Sequence, residues 1–156
     1  QSLAIIEYLE ETHPDPPLLP HTAAERARVR ALALFVACEI QPLNNLRVQR
    51  QLVAQLGADQ AALGRWQLHW CEAGFGALEA QLAASPMTGA FCHGNAPGVA
   101  DCFLTPQVYN SQRPVVGADL AKWPTIRRIY QACLALPAVD RSLPKNQPGF
   151  ENPTGH

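Results

Sequence analysis

Apolar residues recur at helical spacing along most of the chain, beginning at its first residues. Leu3, Ile6 and Leu9 share one face of a first predicted helix, which we expect to end before Pro14 because a residue that precedes proline disfavours helical geometry. Four prolines fall within residues 14–21, and such a density of proline favours an extended connector. We interpret this stretch as a linker.

A long amphipathic helix is predicted to begin after Thr22. Glu25 follows three positions later, as in a capping box. Apolar residues then recur with the helical period, namely Val29, Leu32, Ala33, Val36 and Ile40. Pro42 removes one backbone donor, and we expect it to kink this helix without necessarily ending it, since leucines still recur beyond it.

The remaining pattern predicts further helices and no strand. A second long helix runs from about Asp59, its cap, to Ala83. The helix over Val99–Gln112 is apolar almost all round and is predicted to be buried, although it contains a proline. Two shorter helices are expected at Pro124–Ala135 and Pro137–Leu143. No strand-like alternation is long enough to count, so the predicted fold is all-α.

Composition narrows the function classes. The 156 residues are 47% hydrophobic, and 16% charged residues leave a net charge of −1. This near-neutral balance argues against nucleic acid or an acidic membrane surface as a partner. No apolar run approaches the roughly 18 residues of a membrane span. Five cysteines in apolar contexts fit a disulfide framework poorly and favour a reducing compartment, the cytoplasm.

The segment from Gly94 to Asp101 is predicted to turn into the buried helix. Asp101 stands at the third helical position, where its carboxylate can accept the amide N–H of residue 98. We therefore assign Asp101 to capping rather than to acid catalysis, with an expected contribution of roughly 1 kcal/mol or more.

This turn, G-x-x-x-x-x-A-D, together with two preceding long helices and a proline linker, resembles the C-terminal domain of glutathione transferases. Residues 1–11, 40–46 and 101–110 further resemble the zeta class. One departure is Gly98, where the family usually has serine or threonine. The resemblance covers nearly the whole chain.

The resemblance implies a division of the chain. Residues 1–13 would be the last helix of a thioredoxin-like domain that is otherwise largely absent, residues 14–21 the linker, and residues 22–156 an all-helical bundle. Because the chain starts inside a helix without a methionine, we expect it to be the back part of a longer protein. The thiol-activating residues would lie in the absent part, so no catalytic residue is expected here and the isolated chain should be inactive.

Glutathione is the cofactor that the resemblance implies, and the resemblance also indicates which residues bind glutathione. Gln1 and Ser2 would hold its γ-glutamyl carboxylate through their side-chain donors and the amides at the helix N-terminus. The other residues that match glutathione-site positions are Gln41, Asn45, Leu46 and Arg47. From the residues alone, simple helix capping or a solvated helix face explains the same positions.

Arg113 is the candidate substrate-binding residue. The family places an arginine near its acidic substrate at the end of the buried helix, and a planar guanidinium suits a carboxylate. Its alternative role is a favourable interaction with the helix C-terminus.

The implied activity is glutathione-dependent cis–trans isomerisation of maleylacetoacetate in tyrosine and phenylalanine breakdown, by a protein that is a homodimer when intact. Maleylpyruvate is an alternative substrate. A non-catalytic binding or dimerisation domain is the second class of function.

Other reactive side chains are assigned to structure. His69 and Cys71 are two residues apart and do not share a helical face, so we expect no metal site. Trp66 and Trp70 are one turn apart and fit the core.

Overall fold

Helices joined by irregular loops make up residues 1–150, which are the residues that this computed structural model describes. The α-helices are α1 (Ser2–Thr12), α2 (Ala23–Phe35), α3 (Leu46–Leu56), α4 (Gln60–Ala84), α5 (Val99–Ser111), α6 (Pro124–Leu134) and α7 (Pro137–Ser142). A π-helical turn at Val36–Ile40 follows α2, and 3₁₀ turns lie at Leu120–Lys122 and Pro144–Asn146. No β-strand forms within the described residues, which confirms the predicted helical class there. Residues 151–156 of the predicted helical domain lie outside them.

None of the helices in the described part of the chain is long and apolar enough to cross a lipid bilayer.

The start of α2 is capped as predicted. The Thr22 hydroxyl accepts the Glu25 amide N–H at 3.3 Å and donates to a Glu25 carboxylate oxygen at 2.7 Å. Asp59 likewise caps α4, where its Oδ1 accepts the Ala62 amide N–H at 2.7 Å. Both caps satisfy amides that have no partner inside their own helix.

The break at Pro42 is deeper than the predicted kink. In the π-helical turn, the Gln41 amide donates to the Val36 carbonyl, five residues back, at 3.0 Å. The chain then leaves helical geometry, and Asn45 caps a new helix, α3. The predicted kink is therefore a helix end, because proline cannot continue the hydrogen-bond ladder and a cap residue stands three positions beyond it.

Helix α5 lies at the centre of the core, as predicted. Nine of its 13 residues are buried, and it packs against α2, α4 and α6. Pro106 is tolerated because it lies on the exposed side of the helix. The carbonyl that it leaves unpaired, on Cys102 one turn earlier, belongs to a residue that is also exposed.

Asp101 caps α5 more extensively than the sequence suggested. Its Oδ2 accepts the Gly98 amide N–H at 2.9 Å, the predicted bond, and its Oδ1 accepts the Cys92 amide N–H at 2.9 Å. The side chain is only 4% exposed, and this burial raises the pKa of Asp101 although both amides donate to it. One carboxylate therefore ties the loop before α5 to the first turn of the helix.

Glycine at position 98 has a steric reason. The Val99 amide donates to the Leu18 carbonyl at 3.0 Å, which brings the connector close to the turn. A Cβ on residue 98 would stand 2.9 Å from that same oxygen, closer than real Cβ atoms approach. Serine or threonine would therefore require the connector to shift.

The proline-rich connector is held by the preceding helix. The Glu10 carboxylate accepts the Leu18 amide at 2.8 Å and the Leu19 amide at 3.0 Å. Glu10 is the one buried residue of α1. The far end of the connector is thus fastened to both α1 and α5.

Candidate functional site

A polar cavity of about 250 Å³ opens where the end of α5 meets α4 and the segment after the π-helical turn. We call it the amide cavity, because primary amides dominate its walls. It is lined by Gln41, Asn44, Asn45, Gln67, Cys71, Gln107, Asn110, Ser111, Arg113 and Val116. Three separate stretches of the chain therefore contribute to one site.

The break at Pro42 positions one wall of this cavity. Because the backbone leaves helical geometry there, Gln41, Asn44 and Asn45 reach a common space. The indole Nε1–H of Trp66 donates to the Leu43 carbonyl at 2.8 Å, which fastens this segment to α4. The half-buried Trp66 lies outside the core cluster, so it supports the cavity wall and is not, as predicted, part of the core.

Cys71 lies at the buried end of the cavity. Its sulfur accepts the Asn44 side-chain amide at 3.2 Å and the Gln107 side-chain amide at 3.7 Å. Burial raises the pKa of the Cys71 thiol above its ordinary value. The thiol therefore stays protonated near neutral pH and adds no charge to the cavity.

Arg113 supplies the only charge among the residues that line the cavity. Its Nε–H donates to the Asn110 carbonyl at 3.2 Å, near the C-terminus of α5. Within the described residues, no carboxylate forms an ion pair with it. The exposed guanidinium therefore keeps both Nη groups available for an anion, and the cavity favours an acidic ligand.

The structure brings together three of the residues that the sequence assigned to binding, namely Gln41, Asn45 and Arg113. Leu46 and Arg47 do not line the amide cavity. Leu46 is 56% exposed at the start of α3, and Arg47 lies on a separate surface groove along that helix.

Gln1 and Ser2 are exposed at the N-terminus of α1, and neither residue lines the amide cavity. Gln1 occupies the cap position but makes no capping bond with its side chain. With respect to the described part of the chain, the first amides of α1 and both side chains are therefore free to bind a carboxylate, which is the chemistry that the prediction requires.

Asn45 has a structural task as well as a place in the cavity. Its Oδ1 accepts the Arg47 amide N–H at 3.0 Å and so caps α3. We expect Asn45→Ala to weaken α3 by about 1 kcal/mol, because that amide loses its partner. Amide hydrogen exchange within α3 measures the effect. Asn45→Asp keeps the acceptor and should exchange like the wild type; faster exchange in that variant as well would contradict the capping role.

Sequence reasoning missed several residues of the cavity, above all Gln67 and Gln107. Gln67 stands one turn after Leu63 and one turn before Cys71, on the buried stripe of α4. A glutamine on an apolar stripe was the available signal, since a buried amide needs a partner. Gln107 carries the same signal on the otherwise apolar α5.

A second cavity, of about 280 Å³, lies between α5 and the α6–α7 region. Its lining is mainly apolar, and Asp101, its one charged side chain, is occupied by backbone amides. It lacks the free polar groups of the amide cavity.

Known proteins resemble this chain over nearly its full length. The family described as glutathione S-transferase, C-terminal domain, matches residues 47–132. A probable maleylacetoacetate isomerase of Vibrio cholerae is 45% identical over 95% of this chain and 67% of its own length. A maleylpyruvate isomerase of a Ralstonia species is 48% identical over 95% of this chain and 69% of its own length. The chain thus spans about two thirds of these relatives.

Solved structures agree with these matches. A maleylpyruvate isomerase, described as a bacterial zeta-class glutathione S-transferase, superposes with a TM-score of 0.93 at 46% identity, over 97% of this chain and 70% of its own. A maleylacetoacetate isomerase from Anaeromyxobacter dehalogenans, with dicarboxyethyl glutathione and citrate in its active site, gives a TM-score of 0.89 at 42% identity, over 98% of this chain and 66% of its own.

Proposed function

Because this chain belongs to the glutathione S-transferase family, as its C-terminal domain, we propose that it is the helical part of a zeta-class enzyme that isomerises maleylacetoacetate with glutathione. The observation that carries the proposal is the amide cavity, where one unpaired guanidinium, Arg113, stands among neutral amides. A small acid rich in carbonyl groups matches that arrangement, since the cation binds a carboxylate and the amides bind neutral oxygens.

We further propose the predicted division into residues 1–13, 14–21 and 22–156, with a thioredoxin-like domain packed on α1. The outer face of α1 supports this. Ile5, Tyr8 and Leu9 are 59%, 64% and 45% exposed there, so the helix presents an apolar face that a neighbouring sheet would bury. The thiol-activating group would belong to that domain.

Glutathione, when bound, supplies a thiolate that adds reversibly to the cis double bond and so permits rotation before elimination. This chain's share is binding and orientation. Gln1 and Ser2 would hold a carboxylate of glutathione at the start of α1. Gln41 and Asn45 would form the side of the site, and Arg113 would hold a carboxylate of the substrate. Leu46 and Arg47 remain assigned to the glutathione side, although they lie outside the amide cavity.

Maleylpyruvate is the second candidate substrate. The 48%-identical relative that bears this activity in its name supports it. Both acids combine carboxylates with ketones, so the amide cavity suits either one.

We also propose that the protein forms a homodimer when intact. Helix α3 contains no buried residue, and Leu46, Val53 and Leu56 are 56%, 47% and 75% exposed on it. Such a face favours association with a second copy over permanent contact with water. A non-catalytic dimerisation module remains the alternative role for the isolated chain.

The cytoplasm is the compartment that we propose. All five cysteines are free in the structure, and paired cysteines would be expected of a protein from an oxidising compartment.

The proposed activity is tested by mixing the full-length protein with glutathione and either acid and following isomerisation by absorbance. We expect turnover of maleylacetoacetate that depends on glutathione, and none from the 156-residue chain alone. Faster turnover of maleylpyruvate would reassign the substrate. Absence of turnover with both acids would reject the enzymatic role, and activity of the isolated chain would overturn the assignment of the thiol-activating group to another domain.

A further inference from the structure

Two glutamine side chains at the buried end of the amide cavity have no assigned role. Gln67 on α4 and Gln107 on α5 are only 3% and 4% exposed, yet both line the cavity. Neither glutamine contributes to the fully buried, unpartnered side-chain nitrogen and oxygen atoms of residues 1–150, which are Asn44 Oδ1 and Trp70 Nε1. The unpartnered amide atoms of Gln67 and Gln107 therefore reach the open space of the cavity and can bond to what fills it.

Their hydrogen bonds are largely unmade. Within residues 1–150, the Gln67 side chain has no hydrogen-bond partner. Gln107 makes one contact through its side chain, the long 3.7 Å bond from Nε2 to the Cys71 sulfur, and its carbonyl oxygen accepts none. Buried amides in native proteins are nearly always satisfied by protein, water or ligand. Since both amides line a cavity, their donors and acceptors are available to what fills it.

The charge of the cavity is uneven. At its exposed edge stands Arg113, the sole charged residue of the lining. At its buried end stand Gln67, Gln107 and Cys71, all neutral, and burial keeps the thiol of Cys71 protonated by raising its pKa. A carboxylate at the exposed edge would meet a cation, whereas a carboxylate at the buried end would lose its hydration with no cation to replace it.

We propose that Gln67 and Gln107 bind a ketone oxygen of the substrate and select keto diacids over plain diacids. This inference rests on the proposed function, because it assigns the rest of the cavity to the acid that Arg113 holds. A ketone oxygen accepts two N–H donors without carrying charge, so it suits the buried end where a second carboxylate does not. The amides are thus specificity-determining residues.

These donors would also assist the reaction. An N–H bond to a ketone that is conjugated with the alkene withdraws electron density from that alkene and makes it a better electrophile. This activation adds to the contribution of the amides to binding. Loss of the amides should therefore change kcat as well as KM.

A matched pair of inhibitors tests the proposal. Pimelate and 4-oxopimelate are seven-carbon diacids that differ by one ketone, and their competitive inhibition constants are measured on the full-length protein with glutathione. Tryptophan fluorescence gives a second readout, since Trp66 and Trp70 lie on α4 with Gln67. We expect the wild type to bind the keto acid about tenfold more tightly, the value of one good hydrogen bond to a neutral group.

Gln67→Leu should erase this preference by weakening 4-oxopimelate about tenfold while leaving pimelate unchanged. Its unfolding free energy should change little, because leucine has a similar volume and the Gln67 side chain makes no hydrogen bond within the described residues that would be lost. Gln131→Leu, an exposed glutamine of α6 outside the amide cavity, is the control and should retain the preference.

The inference is overturned if the wild type binds both diacids equally, or if Gln67→Leu weakens both to the same extent. Its failure is distinguishable from failure of the proposed function. A wild type that isomerises its substrate but ignores the ketone of the inhibitor keeps the function and loses the inference. A wild type that prefers the keto diacid but has no isomerase activity keeps the inference about the two glutamines and loses the proposed function.

Discussion

Replacing Arg113 with alanine should lower kcat/KM for the acidic substrate about 100-fold in the full-length protein. Charge-assisted, two-pronged hydrogen bonds to a carboxylate contribute about 1.5–3 kcal/mol, and each 1.4 kcal/mol corresponds to a factor of ten. Among residues 1–150, no other cation lines the amide cavity, so none of them can replace the lost charge. Steady-state isomerisation kinetics measure the loss.

Two variants separate binding from structure. Arg113→Lys keeps the charge but not the planar pair of donors, and it should recover only part of the activity. Arg127→Ala removes an exposed arginine of α6 that lies on a different groove, and it should behave like the wild type. The proposed contact with substrate would be excluded if the Arg113→Ala protein kept its kcat/KM. It would also be excluded if the loss of kcat/KM were fully explained by a lower unfolding free energy of the variant.

Asp101→Ala should lower the unfolding free energy by about 3 kcal/mol, because it leaves two buried backbone amides without partners. Those amides belong to Cys92 and Gly98, each 2.9 Å from a carboxylate oxygen. Urea unfolding followed by circular dichroism measures the change.

The control is another helix cap in an open setting. Asp59→Ala removes the exposed cap of α4, which accepts a single amide, and should cost only about 1 kcal/mol. Equal losses at the two positions would show that the second bond of Asp101, to Cys92, contributes nothing.

Local patterns predicted most of the fold because each depends on residues close in the chain. Thr22 with Glu25, and Asp59 at α4, mark helix starts through bonds that span three positions. The Asp101 bond to Gly98 is equally local and was predicted. Its bond to Cys92 was missed, because it runs to a loop whose path depends on tertiary packing.

Long-range contacts explain why the sequence could not predict the path of the loop between α4 and α5. Arg28 donates to the Cys92 carbonyl at 2.9 Å, to Ser85 Oγ at 3.1 Å and to Thr88 Oγ1 at 3.0 Å, all at least 57 positions away. No spacing rule reveals such a contact. Gln67 illustrates a different limit, since its place on an apolar stripe was visible but the cavity beside it was not.

The π-helical turn at Val36–Ile40 sets a limit on the length of the chain. Removing one residue from it would restore ordinary α-helical spacing and rotate everything beyond it by about 100° about the helix axis. Gln41 and Asn44 would then turn away from the amide cavity. Ile40, whose side chain occupies the space left by the missing Cβ of Gly74, would lose its seat on α4. We therefore expect the distance in sequence from Thr22 to Asn45 to stay constant among related chains.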